Sequence, residues 1–593
     1  MRPVISLTRS ALNSSRRTLR DFLLLLLLVC AMTSNAWPVE TLNRAALSPN
    51  TASPSSTRLT AQDEAFLEDL SHRSFQFFWD HADPHTGLVL DRAHTNGSGH
   101  GEGESSYHIA SSAATGFGLT ALCIAAERRW VNKEEARERV RTTLRFFATR
   151  AYQMHGWFYH WMDQTTGERR WKSEVSSIDT ALLLGGVLTA RQYFRSDAEI
   201  VRLATLIYER VDFPWMLNGH PTLISHGWRP ETGFLKPRWD SYSEHMILQL
   251  LAIGSRTHPI TPRAWTAWSR KRITYAGFTY LNDGPLFTHQ YSHAWIDFRN
   301  RSEGWYPYTD YFANSIAATR AHRAFCINLS NEFADYSENM WGITASDSIK
   351  GYVAWGGPPR DPAIDGSVVP SAAGGSLQFT PDISLQALRT MREKFGDRIY
   401  GRYGFTDAFN PLTGWVGPDV ISINVGIILL SAENLRTGNV WRWFMRNSEI
   451  PHAMRLVGLR TRMKERVSRD RQDRQDKSKA ETAELSSSIQ NLKSKMLFIL
   501  CILSIPVNLF LLSFHTATKD TVFPGVEGEG GQGFAADSCG FLGCGCVGRE
   551  RRRNVGRHIR KGRASSGFNE TDERTVREVD CDEDFFARRA PQV

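Results

Sequence analysis

The chain is 593 residues long, with 41% hydrophobic and 22% charged residues, a globular composition rather than a disordered one. Eight cysteines over that length exclude a disulfide-dense scaffold. The net charge of +9 resides at the two ends, about +4 in residues 1–45 and about +6 in residues 451–593, which argues against nucleic-acid binding by a folded middle.

Residues 1–36 read as an export signal. Arg2, Arg9, Arg16, Arg17 and Arg20 precede the apolar run 22–32, and the small-residue exit Ser34-Asn35-Ala36 follows. Ser15-Arg16-Arg17 also fits a twin-arginine signal, and an uncleaved anchor is the alternative. Residues 37–60, rich in Ser, Thr, Ala and Pro toward their end, read as a linker.

From Phe66 to Met445 one pattern recurs: a loop rich in aromatics and glycine leads into a helix of Ala, Gly, Leu and Ile. Such helices are predicted to begin near Ser111, Ser177, Ser243, Tyr311, Pro381 and Ile421, most of them spaced by about 65–70 residues. A helix apolar nearly all round is buried, whereas segments such as 132–152 and 197–211 carry one charged face and would cover it. Six of the first kind and five or six of the second predict an all-α fold, an (α/α)6 toroid over residues 61–456. An open α-solenoid is the alternative. No sustained strand pattern occurs, and 156–171, where Trp157, Tyr159 and Trp161 alternate, predicts only a local hairpin.

Residues 457–495 are dense in both charges and then place Leu485, Ile489 and Leu492 at helical spacing, predicting a charged helix. The apolar run 496–514 is long enough for a transmembrane helix, and 515–593 read as a disordered tail. Together the ends predict an exported protein, periplasmic or at the cell surface and anchored in the membrane. The basic residues before the span oppose that orientation under the positive-inside rule. Cys539, Cys544 and Cys546 form no paired metal motif.

In a toroid the long loops converge on one central cleft. Ten tryptophans fall in those loops, Trp161, Trp215, Trp228, Trp239 and Trp305 among them. A polar cleft lined with aromatic rings suits sugars, whose C–H faces stack while their hydroxyls bond to acids, Arg and His. For a single tryptophan, filling a loop core is the more ordinary role. Glycoside hydrolysis needs two carboxyl groups across the scissile bond. Glu174 and Asp179 lie in KSEVSSIDTALL, Glu244 in DSYSEHMILQLL and Asp407 in YGFTDAFNPLTGW, with Asp297, Asp310, Asp347 and Asp365 as further loop acids. An acid in the first helical turn also serves as a cap, so each one alone is ambiguous. Two acids at successive inner-helix starts favour function.

Other chemistries fit less well. His72, His81 and His85 match no standard metal-ligand spacing, so no metal site is predicted. GHGEG at 99–103 lacks the Gly-Lys-Ser/Thr of a phosphate loop, and no Gly-x-Ser-x-Gly is present. Cys123 and Cys326 sit in apolar helices as core residues.

The runs WKSEVSSIDTALLLGGVLTARQYF, YSEHMILQLLAIGSRTHPI, GPLFTHQYSHAWIDFR, DYFANSIAATRAHRAF, MWGITASDSIKGYVAWGGPP, DGSVVPSAAGGSLQFTP and YGFTDAFNP resemble the glucoamylase-like family. That family includes bacterial endo-β-1,2-glucanases and the related domain of cyclic β-1,2-glucan synthases. The resemblance spans roughly residues 66–455 and implies an (α/α)6 fold acting on β-glucan without a cofactor. It implies catalytic roles for Asp179, Glu244 and Asp407, with acid and base unassigned. Trp157, Trp171, Tyr242, His293, Trp295, Arg299, Trp341 and Trp355 are the candidate substrate-binding residues. One departure stands out: where the family carries a pattern like Gly-Ile-Asp-Gln-Gly in the last inner helix, this chain has Ser422-Ile423-Asn424-Val425-Gly426. Asn cannot transfer a proton as a carboxylic acid does. Hydrolysis is therefore the leading expectation, with transglycosylation and non-catalytic glucan binding as alternatives.

Overall fold

The computed structural model describes residues 59–97, 108–281, 283–305 and 308–461. The export signal, most of the linker, the charged helix, the span and the tail of the sequence reading lie outside the described residues, as does the GHGEG run.

The first helices in chain order are α1 (Ala61–Asp80), α2 (Ser112–Arg128), α3 (Lys133–Thr149), α4 (Ser177–Tyr193), α5 (Ala198–Glu209) and α6 (Met246–Gly254). They continue with α7 (Tyr291–Trp295), α8 (Tyr311–Asn328), α9 (Pro370–Gly374), α10 (Pro381–Phe395) and α11 (Ser422–Arg436). Two short helices, α12 (Asn439–Phe444) and α13 (Glu449–Leu456), finish the set, and a single turn lies at Ala264–Ala267. Among the described residues no helix is long and apolar enough to cross a membrane.

Six of these, α2, α4, α6, α7, α9 and α11, are buried almost throughout and follow one another round a ring. Their sequences carry few charges, so no face needs water. The longest contact is between α2 and α4, where glycines let the backbones touch. A Cβ on Gly186 would lie 2.1 Å from the carbonyl oxygen of Gly116, and one on Gly116 would lie 2.2 Å from that of Leu182. Between α7 and α9 the link is polar: Gln290 donates to the Ala372 carbonyl at 2.9 Å.

The amphipathic α1, α3, α5 and α10, together with the half-buried α8, form the outer layer. Helix α1 starts from a capping box, Thr60 accepting from Asp63 N–H while Asp63 accepts from Thr60 N–H. It packs on α11, so the last inner helix meets the first outer one and the ring closes. That contact excludes the open solenoid. The result is an α/α toroid.

The sequence reading is corrected at two inner positions. The helices starting at Tyr311 and Pro381 are half-exposed outer helices, and the buried inner partners are the short α7 and α9. At one turn or so each, α7 and α9 are too brief for a 3.6-residue period to show.

Short connections join α2 to α3, α4 to α5 and α9 to α10, so these pairs run antiparallel, and long loops lead back to the starts of the inner helices. Small two- and three-stranded ladders stitch those loops. Strand Ile109–Ser111, leading into α2, pairs with Trp161–Asp163, so the predicted hairpin region pairs with a neighbouring loop as well. Val175–Ser176, leading into α4, pairs with Gly227–Arg229. Asp419–Ile421, leading into α11, pairs with Arg92–His94 and ties the end of the ring to its beginning. The folded chain runs past Leu456 to a strand, Leu459–Thr461, paired with Arg301–Glu303.

Candidate active site

The start of α4 carries Asp179 in its first turn because Ser176 caps the helix and binds that carboxylate as well. Ser176 Oγ donates to Asp179 Oδ2 at 2.5 Å. His160, on the adjacent loop, faces two carboxylates: its Nδ1 lies 3.2 Å from Glu174 Oε1 and its Nε2 3.5 Å from Asp179 Oδ1. Its ring stacks on Trp161 at 3.5 Å between centroids. Burial opposes the imidazolium, but the charges of Asp179 and Glu174 outweigh it and hold His160 at about 9. Burial likewise works against the Glu174 carboxylate, and the His160 hydrogen bond and charge overcome it, leaving Glu174 at about 2. Asp179 stays above the ordinary carboxylate range, because burial outweighs His160 and Ser176.

Across the ring closure lies a second cluster. Asp407 is buried, its Oδ2 accepting from the Asp347 backbone N–H at 2.7 Å and its Oδ1 from the Asn424 amide at 2.7 Å. Asn424 sits in the first turn of α11 and its amide also reaches the Ala345 carbonyl at 3.2 Å, which fixes which way the amide points. Arg92 lies 3.0 Å from Asp347, 3.5 Å from Asp91 and 3.7 Å from Asp419, and His94 meets Asp419 at 3.0 Å. Burial, joined by the charge of Asp347, pushes Asp407 up to about 7, against the pull of the Asn424 hydrogen bond. Burial lifts Asp347 too, despite Arg92.

Glu244 enters from a third side, two residues before α6, buried, with Ser243 Oγ donating to its carboxylate. Ser292, in α7, donates to the Glu244 carbonyl at 2.5 Å and accepts from Ile247 N–H at 2.9 Å, pinning that turn. The charges of all three acids act on one phenol. The Tyr291 hydroxyl is held well above its ordinary range by burial and by the nearby Tyr352, Glu244, Asp407 and Asp179. Tyr352 itself is 43% exposed, on the hairpin Ser346–Val353.

Of the other predicted substrate contacts, Trp171 has an open face. It is 44% exposed and stands edge-on to Trp161 at 5.4 Å, beside His160. Six more are corrected to core residues. Trp157 donates to the Asp212 carbonyl, Trp295 to Thr120 and Trp355 to Ser346, and Tyr242 bonds His289 at 3.1 Å. His293 bonds Ser315 at 3.2 Å, and Trp341 is fully buried near the His322 ring. Arg299 is also corrected: it pairs with Asp297 and stacks over Trp441 at 4.0 Å, beside Gly438 just past the end of α11. Asn424 starts that helix, so Arg299 belongs to the opposite end of the ring, about 20 Å away at 1.5 Å per residue.

Asp91, Arg92, His160 and Asp419 were not singled out from sequence. Asp419 has a signal that could have found it, an acid opening a short strand that leads into an inner helix, much as Glu174 stands just ahead of Val175–Ser176. Among the described residues one His/acid group has ligand atoms mutually within 4.8 Å, His160, Glu174 and Asp179. Both ring nitrogens there face carboxylates, and an imidazole donating twice has no lone pair for a metal.

The family model described as "Putative glucoamylase" matches residues 236–448, a span that holds Glu244, Asp407 and Asn424. A curated exo-β-1,2-glucooligosaccharide sophorohydrolase (non-reducing end) from Parabacteroides distasonis is 28% identical over 442 residues, 68% of this chain. The chain spans 59% of the length of that relative. An endo-β-1,2-glucanase from Chitinophaga pinensis, solved with sophorotriose and glucose, superposes with a TM-score of 0.62 at 28% identity, over 68% of this chain and 99% of its own. A Bacteroides uniformis protein described in the same words as the family model gives a TM-score of 0.62 at 30% identity, over 68% of this chain and 98% of its own. With its ring of helices, its ordered motifs and this shared architecture, the chain belongs to the glucoamylase-like family.

Proposed function

We propose that this protein is a glycoside hydrolase that cleaves β-1,2-linked glucan by two-carboxylate acid/base catalysis. The observation that carries the reading is that Asp179, Glu244 and Asp407, from three separate elements, are all buried at the end of the ring where the inner helices start, each near enough for its charge to act on the Tyr291 hydroxyl. The residues differ in protonation. Asp407, at about 7, is poised to give or take a proton near neutral pH, the property a general acid or base requires. The similarity to an endo-β-1,2-glucanase and to a β-1,2-glucooligosaccharide sophorohydrolase supports the linkage.

Asn424 is compatible with this reading. It is placed as a hydrogen-bond donor to Asp407, a task an amide performs and an ionised carboxylate cannot. Trp171 and Tyr352 offer open rings at the rim on which sugar faces can stack.

The test is incubation of the purified protein with linear β-1,2-glucan, with β-1,3- and β-1,4-glucans as controls. Shorter products from the β-1,2 polymer alone are expected. Redistributed chain lengths would replace hydrolysis by transglycosylation, and binding without either product would leave a glucan-binding protein. Export and membrane tethering belong to the same proposal, drawn from residues 1–36 and 496–514. Protease added outside wall-stripped cells should then digest the domain containing Glu244 and spare an epitope placed after Arg563.

A further inference from the structure

Both imidazole nitrogens of His160 point at carboxylates from different segments. Glu174 precedes the strand into α4, and Asp179 lies in the first turn of that helix. The ring cannot turn away. Its flat face rests on Trp161, its backbone N–H donates to the Glu174 carbonyl at 3.0 Å, and its carbonyl accepts from Ser112 N–H at 3.1 Å. Without a cation here, two carboxylates would face each other across the ring position.

We propose that His160 is a positioning residue for Asp179: a fixed imidazolium, clamped between Glu174 and Asp179, that aims the Asp179 carboxylate and sets the pH range in which it holds a proton. This inference rests on the hydrolase reading for its kinetic consequence only. The groups facing His160 are Glu174, Asp179 and, from the loop before Arg92–His94, Asp91. Arg229, from the strand paired with Val175–Ser176, lies 3.8 Å from Glu174 and offsets part of its charge. His226, adjacent to that strand, is pushed down to about 4 by burial and stays neutral near pH 7. Tyr291, whose hydroxyl burial and neighbouring charges including Asp179 hold well above its ordinary range, is neutral. Ser176 supplies one hydrogen bond to the remaining Asp179 oxygen. Two carboxylates with one imidazolium between them give each neighbour an opposite effect on Asp179. Removing the cation makes the Asp179 proton harder to lose, and removing the Glu174 charge makes it easier.

The experiment uses the full chain. The 13C-labelled histidine ring resonance that disappears in His160→Gln is titrated by NMR. The expected midpoint lies near 9, falling by about 1–3 pH units in Asp179→Asn, the usual reach of one opposite charge at this distance. In parallel, kcat/KM on β-1,2-glucan is profiled against pH. One limb should move to higher pH in His160→Gln and the same limb to lower pH in Glu174→Gln. A midpoint near the ordinary 6.5 that ignores Asp179 would overturn the proposal. So would a profile unmoved in both variants, or moved the same way in both, since a merely structural histidine predicts no opposed shifts. A wild-type chain inactive on glucan defeats the hydrolase reading instead, and the imidazole titration then decides the clamp alone.

Discussion

The two ends of the ring treat buried charge in opposite ways. At the end where the inner helices stop, each buried charge has a close partner. Arg128 meets Glu433 at 2.7 Å, Arg436 meets Glu64 at 2.8 Å and Glu68 at 2.7 Å, and Arg191 meets Glu449 at 2.9 Å. At the end where those helices start, acids outnumber cations: Asp91, Asp347, Asp407 and Asp419 surround Arg92, and Asp179 and Glu174 surround His160. Pairing serves the fold. The unbalanced end carries carboxyl groups pushed both down, as Glu174, and up, as Asp407. Environments that drive like groups apart are how one fold supplies an acid and a base at one pH.

The largest expected effect breaks this contrast from the acid-rich end. Asp179→Asn and Asp407→Asn should each lower kcat/KM on β-1,2-glucan by about 10²–10⁴-fold, the scale of a lost general acid or base. Next comes the paired end. Glu433 is fully buried and also accepts from Thr437 at 2.6 Å and Asn439 at 2.7 Å. Glu433→Gln should destabilise the fold by about 3 kcal/mol, the lower part of the range for breaking a buried pair, since Arg128 keeps Glu68 and some solvent. Denaturant unfolding would show it, with kcat of the folded fraction retained. If that variant lost kcat while staying stable, the division of labour between the ends would fail.

A pH effect sharpens the same contrast. Asp407 holds its proton to about 7 in the folded chain and only to the ordinary carboxylate range when unfolded. Folded protein therefore binds the extra proton in between, and stability from this group is present at low pH and lost as pH rises toward 7. Asp407→Asn should flatten that part of the stability–pH curve, read from melting temperatures at a series of pH values. The smallest effect concerns the rim. Trp171→Ala should raise KM by about tenfold or less, near 1 kcal/mol of lost stacking, with little change in kcat.

Much of this was legible in the sequence where a signal is periodic or local. The long buried helices α2, α4 and α11 announce themselves by unbroken Ala/Gly/Leu/Ile runs, and Asp179, Glu244 and Asp407 by acids next to helix starts or in aromatic loops. The short α7 and α9 did not, because five residues complete little more than one turn. The tryptophans misled for a different reason. Loop position does not tell whether an indole faces a cleft or plugs the ring wall, and Trp157, Trp295 and Trp355 all spend their N–H on internal acceptors. Arg92 and His160 act through partners that are remote in sequence or pass through a turn, Asp347 being 255 positions from Arg92. Only the closed ring brings such groups together.

Glu244→Gln offers the most direct test of the central claim, that the acid-rich end of the ring is a hydrolytic centre. Its carboxylate is buried at the start of α6, and the substitution keeps size and hydrogen-bonding capacity while removing proton transfer. The account predicts a loss of at least about 10²-fold in the rate of shortening of β-1,2-glucan, with a melting temperature within about 1–2 °C of the wild type, the shift that ~1 kcal/mol gives for a folded region of roughly 400 residues. Near-normal turnover by Glu244→Gln would contradict it and leave this acid as a helix-start residue with no part in the chemistry.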